Sequence, residues 1–315
     1  MESIFPKLHD EIKKSVLNCE SKNLALSGGL DSSIIAYFLK DRKPNTVTII
    51  AEDFIASDLT YCQLAAKHFG LSLNIENVET SRILESIEKT IQILKNFNDI
   101  EIRNSVVSYL AIKFFKEQGK KDLITGDGAD ELFAGYNFFL NKSKDELENE
   151  QKRIWEIMHF PSHVIGEHLG VKIESPFLSQ NVIDLAKTIP VELKVKQENS
   201  TIYGKWVLRK TFEDKIPEKI AWRQKSAMQD GSGTSGLTQL FESIISDEVF
   251  EAKKEEISKT DEIVLRSKES MHYYEIYRKY FGVPTSSESN NACPYCKTLV
   301  NQNSKFCRMC GAYPI

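Results

Sequence analysis

The segment SGGLDSS, residues 27–33, combines two adjacent glycines with hydroxyl side chains and one carboxylate, between an apolar run and a helical pattern. Gly28 and Gly29 allow a tight turn in which backbone N–H groups come close to a ligand at the positive end of the following helix. Three hydroxyl donors flank them: Ser27, Ser32 and Ser33. The segment therefore indicates an anion site, above all for phosphate, with an ordinary strand-to-helix turn as the alternative.

A second glycine-containing turn, TGDGADE at residues 125–131, carries Asp127, Asp130 and Glu131. Carboxylates this close repel one another unless a cation or a proton separates them. Mg²⁺ prefers oxygen ligands and usually bridges one or two carboxylates to substrate phosphates, so we expect Asp31 and Asp130 to bind Mg²⁺ together. An acidic, solvated surface loop is the alternative.

Four of the six cysteines lie in the last 23 residues, as two CxxC pairs. Four thiolates at this spacing predict a tetrahedral, structural Zn²⁺ site, and a segment so short needs the metal in order to fold. A rubredoxin-like iron site and a pair of disulfides are the chemical alternatives. The predicted ligands are Cys293, Cys296, Cys307 and Cys310. The remaining two, Cys19 and Cys62, fall on predicted helices and are expected to be buried.

The elements that must position these residues alternate along the first half of the chain. Short β-branched runs predict strands at residues 23–26, 46–51, 72–78 and 122–125, and the segments between them have helical spacing. This alternation predicts an α/β fold with a doubly wound parallel sheet, in which both turns lie at the carboxyl ends of strands. Most of the chain after residue 145 predicts helices packed on the sheet.

Composition places the chain among globular proteins. It has 315 residues, of which 41% are hydrophobic and 27% charged, and a net charge of −4. This charge provides no general attraction to nucleic acid or to anionic lipid. We find no run long enough to span a membrane and no secretory signal pattern, so we expect a cytoplasmic protein with no membrane partner.

SGGLDSS has neither the lysine of a Walker loop nor the three spaced glycines of a dinucleotide fingerprint. It resembles the pyrophosphatase loop (PP-loop) of the ATP-pyrophosphatases. With TGDGADELFAGY, GVKIESPFLSQNVIDLA (170–186) and IPEKIAWRQKSAMQDGSG (216–233), the order of motifs over about residues 20–281 resembles the synthetase domain of glutamine-dependent asparagine synthetase. That resemblance implies an adenine nucleotide alpha hydrolase-like fold and an AMP-forming amide ligase. ATP would adenylate the aspartate side chain, and ammonia would then give asparagine.

The resemblance also implies roles for single residues. Lys225 matches a lysine that neutralises charge during adenylation, and Arg103 falls where the family has an arginine that holds pyrophosphate or the substrate carboxylate. An exposed charge and a structural ion pair are the respective alternatives. Asp127 would accept a proton from the attacking ammonia. The residues implied in ATP binding are Leu26, Ser27, Gly28, Gly29, Asp31, Ser32, Ile50, Thr125 and Gly126.

Two departures from the family bear on the acceptor acid. Asp127 stands where asparagine synthetases commonly have a glutamate, and Ser179 where they often have an aspartate. The acceptor is therefore aspartate or another carboxylic acid. The sequence also begins about 20 residues before the first predicted strand, so we expect no glutaminase domain and expect nitrogen from free ammonia or a separate glutaminase subunit.

The predicted organisation is a synthetase-like domain at residues 1–281, a flexible linker at 282–292 and a zinc ribbon at 293–315. Within the first domain, the sheet part covers about 20–145 and the helical part about 146–281. A mild positive charge on the ribbon is compatible with a nucleic-acid or acidic protein partner. The alternative functions are a PP-loop enzyme that adenylates a tRNA base and a catalytically inactive binding module.

Overall fold

In the computed structural model of the chain, residues 4–285, 291–301 and 304–315 are described. Five strands form one sheet in the order β3-β2-β1-β4-β5, and the pairs β1–β2, β1–β4 and β4–β5 are parallel. The strands are β1 (Asn23–Ala25), β2 (Asn45–Ala51), β3 (Leu73–Val78), β4 (Asp122–Ile124) and β5 (Lys172–Glu174). The order reverses between β1 and β4, and the crevice beyond their carboxyl ends is where sheets of this kind bind ligands. The predicted α/β class is confirmed.

The first four strands match the predicted segments within one residue at each end. The fifth strand was not predicted, because it lies in the part of the chain that reads as helical. It has only three residues and carries charged side chains at Lys172 and Glu174, so it has no apolar alternation to reveal it. An antiparallel hairpin of β6 (Lys196–Glu198) and β7 (Thr201–Tyr203) is a second addition.

Sixteen α-helices and four short 3₁₀ segments occupy most of the rest of the described chain. The α-helices are α1 (Ile4–Leu17), α2 (Leu30–Leu39), α3 (Asp58–Phe69), α4 (Thr80–Leu94), α5 (Asp99–Glu117), α6 (Ala129–Leu132), α7 (Lys144–Ile157), α8 (Pro161–Leu169), α9 (Gln180–Thr188), α10 (Val191–Lys194), α11 (Trp206–Phe212), α12 (Glu218–Ala221), α13 (Met228–Ser232), α14 (Leu237–Ile244), α15 (Asp247–Asp261) and α16 (Lys268–Phe281). Within the described ranges, no helix combines the length and the apolar character that crossing a membrane requires.

One prediction about the cysteines is wrong. Cys19 lies two residues beyond the end of α1 rather than on a helix, because the carbonyls of Leu17 and Cys19 accept hydrogen bonds from the Arg42 guanidinium instead of continuing the helix. Cys62 lies on α3, and both thiols are buried as expected. Burial raises the pKa of Cys19 to about 11, which keeps this thiol protonated and unreactive at neutral pH.

The chain divides into two compact units. The first contains the described part of Met1–Ile50, Ser57–Glu76 and Ala111–Ala227. Its core packs the apolar faces of α1 and α2 around β1 and β4, with Phe177 and Phe212 fully buried. This unit holds both predicted loops, and it therefore holds the candidate site.

The second unit consists of Ala51–Ala56, Asn77–Leu110 and the described part of Met228–Ile315. Its core is aromatic: the rings of Phe97 and Tyr274 lie 5.1 Å apart, and those of Phe241 and Tyr273 lie 5.8 Å apart. The domain boundaries predicted at residues 145 and 281 stay predictions. Part of the predicted linker, residues 286–290, lies outside the described residues.

A buried lysine lies in the first unit behind the acidic loop. Lys194 is 0% exposed, and its Nζ donates to Gln151 Oε1 at 2.9 Å and lies 4.7 Å from the centre of the Trp155 ring. No carboxylate is paired with it among the described residues. Burial therefore lowers the pKa of Lys194 to about 7.

This burial predicts a pH dependence of stability. Between pH about 7 and 10.5 the unfolded chain holds a proton on Lys194 that the folded chain has lost, so the free energy of unfolding rises with pH over this range. Replacing Lys194 by methionine should remove that rise and stabilise the protein at pH 6.5 by roughly 1–3 kcal/mol. Urea unfolding at pH 6.5, 8 and 9.5 measures both effects. Lys187→Met, at an exposed lysine beside the same tryptophan, should keep the rise. Equal pH slopes for wild type and Lys194→Met would contradict the assignment.

Candidate active site

The first loop connects β1 to α2, as the sequence predicts. The N–H of Leu26 extends the strand pairing by donating to the Val47 carbonyl at 2.8 Å, and Gly28 then turns the chain with a φ of +70°. Gly29 is the N-cap of α2 with φ −75° and ψ 170°, so the helix begins directly after it. The hydroxyl of Ser27 lies 3.2 Å from that of Ser32 and accepts from the Gly29 N–H at 3.3 Å. The loop therefore places hydroxyl groups and the free N–H groups of a helix end together.

The second loop follows β4 and lies against the first. The N–H of Thr125 donates to the Glu174 carbonyl at 3.0 Å, and Gly126 comes next. A Cβ atom on Gly126 would lie 3.0 Å from Asp31 Cβ and 3.6 Å from the Ser32 nitrogen. The two loops thus touch at this point, and a larger residue would push them apart.

Asp31 and Asp130 are brought together, and a lysine that the sequence analysis did not identify lies between them. Lys205 Nζ is 2.6 Å from Asp31 Oδ2 and 2.7 Å from Asp130 Oδ1, and the Lys205 side chain is 3% exposed. Lys225 Nζ is 2.7 Å from Asp130 Oδ2. Two carboxylates and two ammonium groups therefore form one largely buried cluster at the switch point of the sheet.

The backbone is shaped to admit Lys205. A Cβ atom on Gly135 would lie 2.0 Å from Asp130 Oδ1 and 2.2 Å from Lys205 Cε, so only glycine leaves room for this side chain. Lys205 itself has a φ of +54°, a conformation that is strained for a residue other than glycine. Such strain persists only where the surroundings enforce it, and it is concentrated at functional sites.

The cluster shifts the proton affinities of its members. Burial by itself would raise the pKa of Asp130, but the ammonium groups of Lys205 and Lys225 have the larger effect and hold this pKa below its usual range. For Asp31, burial outweighs the attraction of Lys205, so its pKa is raised. Burial lowers the pKa of Lys225, and the charges of Asp130 and Asp31 more than reverse this, so the lysine is firmly protonated.

The donor set of this cluster fits a divalent cation. Asp31 Oδ1 is buried and has no hydrogen-bond partner within the described part of the chain, although a buried carboxylate oxygen normally has one. Carboxylate oxygens from two adjacent loops are the ligands that Mg²⁺ takes beside substrate phosphates. The Mg²⁺ role predicted for Asp31 and Asp130 stays a prediction, and the charge that separates them in this structure is that of Lys205.

The remaining two carboxylates of the acidic loop have partners of their own. Asp127 Oδ2 accepts from the hydroxyls of Thr125 and Ser162, each at 2.6 Å. Glu131 accepts from the Tyr136 hydroxyl, and burial raises the pKa of Glu131 above its usual range. The loop is therefore a set of separately paired groups rather than a solvated acidic surface.

Two other residues of the predicted site, Arg103 and Ile50, have surroundings of their own. Arg103 belongs to the second unit, where its Nη1 lies 2.6 Å from Glu269 Oε2 and from Thr238 Oγ1, and its Nε donates to Gln229 Oε1 at 2.9 Å. This is the structural ion pair that stood as the alternative, and a role in binding substrate stays a prediction. Ile50 is 5% exposed at the end of β2, and its contact with adenine also stays a prediction.

A candidate metal site lies in the second unit. The ligand sulfurs of Cys293, Cys296, Cys307 and Cys310 are all within 4.8 Å of one another, and all four residues are buried. The Sγ atoms lie 3.7 Å apart in one pair and 3.5 Å apart in another, so the thiols are free and not disulfide-bonded. Tetrahedral bonds of about 2.3 Å to Zn²⁺ place sulfurs roughly 3.8 Å apart, so this four-cysteine cluster fits such an ion.

The segment around these cysteines is hydrogen-bonded to the rest of the second unit. The N–H of Phe97 donates to the Met309 carbonyl at 2.9 Å, and the N–H of Val264 donates to the Tyr295 carbonyl at 2.7 Å. Arg266 Nη2 donates to the Cys310 carbonyl at 2.7 Å and to Asp99 at 2.9 Å. The cysteine segment therefore supports the turn between α4 and α5.

With this geometry established, sequence comparison assigns the chain to a family. The family model described as Asparagine synthase matches residues 20–169 and 163–292, so the chain belongs to the asparagine synthase family. The resemblance carried by the four motifs is confirmed.

Individual relatives agree with this assignment. The chain is similar to "Asparagine synthetase B [glutamine-hydrolyzing]" of Escherichia coli, with 28% identity over 307 residues that cover 89% of this chain and 54% of the relative. It is 26% identical to "Asparagine synthetase [glutamine-hydrolyzing]" of Gallus gallus, over 86% of this chain and 51% of the relative. The chain thus spans about half the length of these relatives. The structure of NMN synthetase from Francisella tularensis superposes with a TM-score of 0.37 at 13% identity, over 91% of this chain and 97% of that one, which is too weak to carry an inference.

Proposed function

We propose that the chain is an ATP-dependent, AMP-forming ligase that adenylates a carboxylate, by default the side chain of aspartate, and transfers ammonia to it to give asparagine. The observation that carries this proposal is the buried cluster of Asp31, Asp130, Lys205 and Lys225 at the switch point of the sheet. Adenylation brings an anionic acid up to a triphosphate, and it therefore requires fixed positive charge and little water.

Each part of the site has a task in this reaction. The hydroxyls of Ser27 and Ser32 and the N–H groups at the start of α2 would hold the pyrophosphate end of ATP. Asp31 and Asp130 would hold Mg²⁺, which neutralises charge on the phosphates when bound. The adenine would be surrounded by Leu26, Ile50, Thr125 and Gly126.

The lysines would act directly on the charge that develops during adenylation. The Lys225 side chain is 28% exposed, and its one ion pair within the described residues is with Asp130, so its ammonium group can turn towards the departing pyrophosphate. Lys205, which is almost fully buried, would keep the two aspartates in place. Asp127, held by two hydroxyl donors, would then take a proton from the attacking nitrogen.

The four-cysteine cluster would hold a structural Zn²⁺. Nitrogen would come from free ammonia or from a separate glutaminase subunit. Arg103 would bind pyrophosphate or the acceptor acid only after its ion pair with Glu269 is broken.

Purified protein incubated with ATP, Mg²⁺ and ammonium chloride should release AMP and pyrophosphate when a carboxylic acid of the correct kind is present. Aspartate and a panel of other carboxylic acids identify the acceptor, and mass spectrometry identifies the amide. Release of ADP and phosphate would overturn the mechanism. Pyrophosphate release only in the presence of tRNA would instead support adenylation of a nucleobase.

The role of Lys225 is tested by the Lys225→Ala variant. We expect adenylation to fall by about 10²–10³-fold while the fold is retained, because one preorganised cation is lost from the developing charge. Pyrophosphate exchange measures the first step, and circular dichroism checks the fold. Lys219→Ala, at an exposed lysine six residues earlier, should behave as wild type. If the Lys225→Ala variant keeps full exchange activity, this lysine has no part in adenylation.

A further inference from the structure

A continuous chain of hydrogen bonds leads from Asp127 to a histidine. Thr125 Oγ1 lies 2.6 Å from Asp127 Oδ2 and 2.9 Å from Ser175 Oγ, which in turn lies 2.8 Å from His163 Nε2. These residues come from the loop after β4, the end of β5 and the first turn of α8, all within the first unit. The chain of contacts therefore joins three separate segments in one line.

The chemistry of the groups fixes the direction of each bond. An ionised carboxylate can only accept, so the single hydroxyl proton of Thr125 must point to Asp127. Ser175 must then donate to Thr125, and His163 Nε2 must carry a proton that it donates to Ser175. When Asp127 is protonated instead, the two hydroxyl bonds can reverse, and Nε2 becomes an acceptor once the histidine proton has moved from Nε2 to Nδ1. The position of one proton on Asp127 is thus coupled to which ring nitrogen carries the proton in a histidine two hydroxyls away.

The far end of this chain opens on a cavity. His163 and Ser175 line a cavity of about 400 Å³, together with polar side chains of the region around α1 such as Asn18 and with Ser179. The His163 side chain is partly exposed, whereas Ser162, which holds Asp127 from the other side, is buried. The histidine can therefore exchange a proton with water in the cavity. Asp127, which is also half-buried, is linked to this histidine through Thr125 and Ser175.

From this arrangement we infer that Thr125, Ser175 and His163 form a proton relay that restores Asp127 after amide formation. The inference rests on the proposed function, in which Asp127 is the base. As the nitrogen attacks the acyl-adenylate, the C–N bond forms, the C–O bond to AMP breaks, and the proton leaves nitrogen for Asp127. His163 first exchanges its proton through water in the cavity, which adds a proton at Nδ1 and takes the one at Nε2. Asp127 then passes a proton to Thr125, Thr125 passes its own to Ser175, and Ser175 passes its own to the free Nε2 of His163. The imidazolium then releases its Nδ1 proton to water in the cavity.

The relay is tested by separating the two steps of the reaction. In the His163→Ala variant we expect pyrophosphate exchange, which reports adenylation, to stay within about twofold of wild type. The rate of amide formation should fall about ten- to a hundredfold, and imidazole added to the buffer should restore most of it by entering the vacated space. The Ser175→Val variant should show the same loss without rescue by imidazole, because its chain is interrupted nearer to Asp127. The Ser175→Thr variant keeps the hydroxyl and should keep the rate.

The matched control is His168→Ala, since His168 lies on the same helix α8 but is exposed. It should leave both steps unchanged. Equal loss of both steps in His163→Ala and Ser175→Val, or no loss in either, would overturn the relay. A wild-type protein that forms no pyrophosphate with any acid would instead overturn the proposed function, so the two failures can be told apart.

Discussion

Replacing Lys205 by methionine should destabilise the protein by about 3–5 kcal/mol and abolish adenylation, because it leaves two buried carboxylates facing each other without the ammonium group between them. Lys225 would still pair with Asp130, but Asp31 would have lost the ammonium group that donates to it. Urea unfolding and pyrophosphate exchange measure the two effects. The effect should be large because this one charge holds both loops.

Two further variants sharpen this prediction. The double variant Lys205→Met with Asp31→Asn should recover part of the stability but none of the activity, since the uncompensated charge disappears along with a proposed Mg²⁺ ligand. Lys210→Met, on α11 and paired with Glu198 and Glu213 near the surface, should change stability by no more than about 1 kcal/mol. A loss in Lys205→Met no larger than in Lys210→Met would show that the cluster is not held by this lysine.

The pH dependence of the loss provides an independent check. Without Lys205, burial and mutual repulsion should raise the pKa of at least one of the two aspartates further above its unfolded value. When the pKa of a carboxyl is higher in the folded than in the unfolded chain, the folded chain binds the proton more tightly. The resulting contribution to the free energy of unfolding is present at low pH and is lost as pH rises through the folded-state pKa. The destabilisation of Lys205→Met should therefore be smaller at pH 4 than at pH 7.

Removal of the metal from the four-cysteine cluster should have the second large effect. We expect about one Zn²⁺ per chain, and we expect chelation or the Cys307→Ser variant to unfold the ribbon, because metal binding supplies most of the folding free energy of so short a segment. Amide hydrogen exchange should rise in the ribbon and also at Phe97 and Val264, whose N–H groups donate to ribbon carbonyls. Metal analysis and exchange mass spectrometry measure these changes.

The control is Cys19→Ser, which alters a buried thiol outside the cluster and should leave the metal content unchanged. Increased exchange confined to the ribbon itself would show that it does not support the α4–α5 turn. If the purified protein contains iron rather than zinc, the cluster is a rubredoxin-like iron site and not the proposed Zn²⁺ site.

The two loops could be predicted well from the sequence because each is a local pattern. A strand, a glycine-rich turn and a helix follow one another within about 15 residues, and the polar groups of SGGLDSS and TGDGADE stand in the turns themselves. The parallel sheet then brings Asp31 and Asp130 together, since the carboxyl ends of its strands share one edge. The cysteine cluster was equally local.

Contacts over long sequence distances could not be predicted in the same way. Lys205 is 174 residues from Asp31, and only the adjacent Gly204 marks it in the sequence. The residues His163, Ser175 and Thr125 meet only because β5 pairs with β4, and β5 is too short to be seen as a strand. The same holds for the ion pair between Arg103 and Glu269. It depends on the packing of α16, and Glu269 lies 166 residues after Arg103 in the sequence.

The position of Lys205 and Lys225 late in the chain has a consequence for synthesis on the ribosome. Both loops of the cluster are complete once residue 136 has emerged, but neither neutralising lysine exists until about 70 to 90 further residues have been added. Until then, closing the loops would bring two negative charges together in a poorly solvated place. This repulsion should keep the edge of the sheet open in the nascent chain. A gene cut after residue 145 would encode the whole acidic turn without its counter-charge, and its product should fail to close that edge at neutral pH.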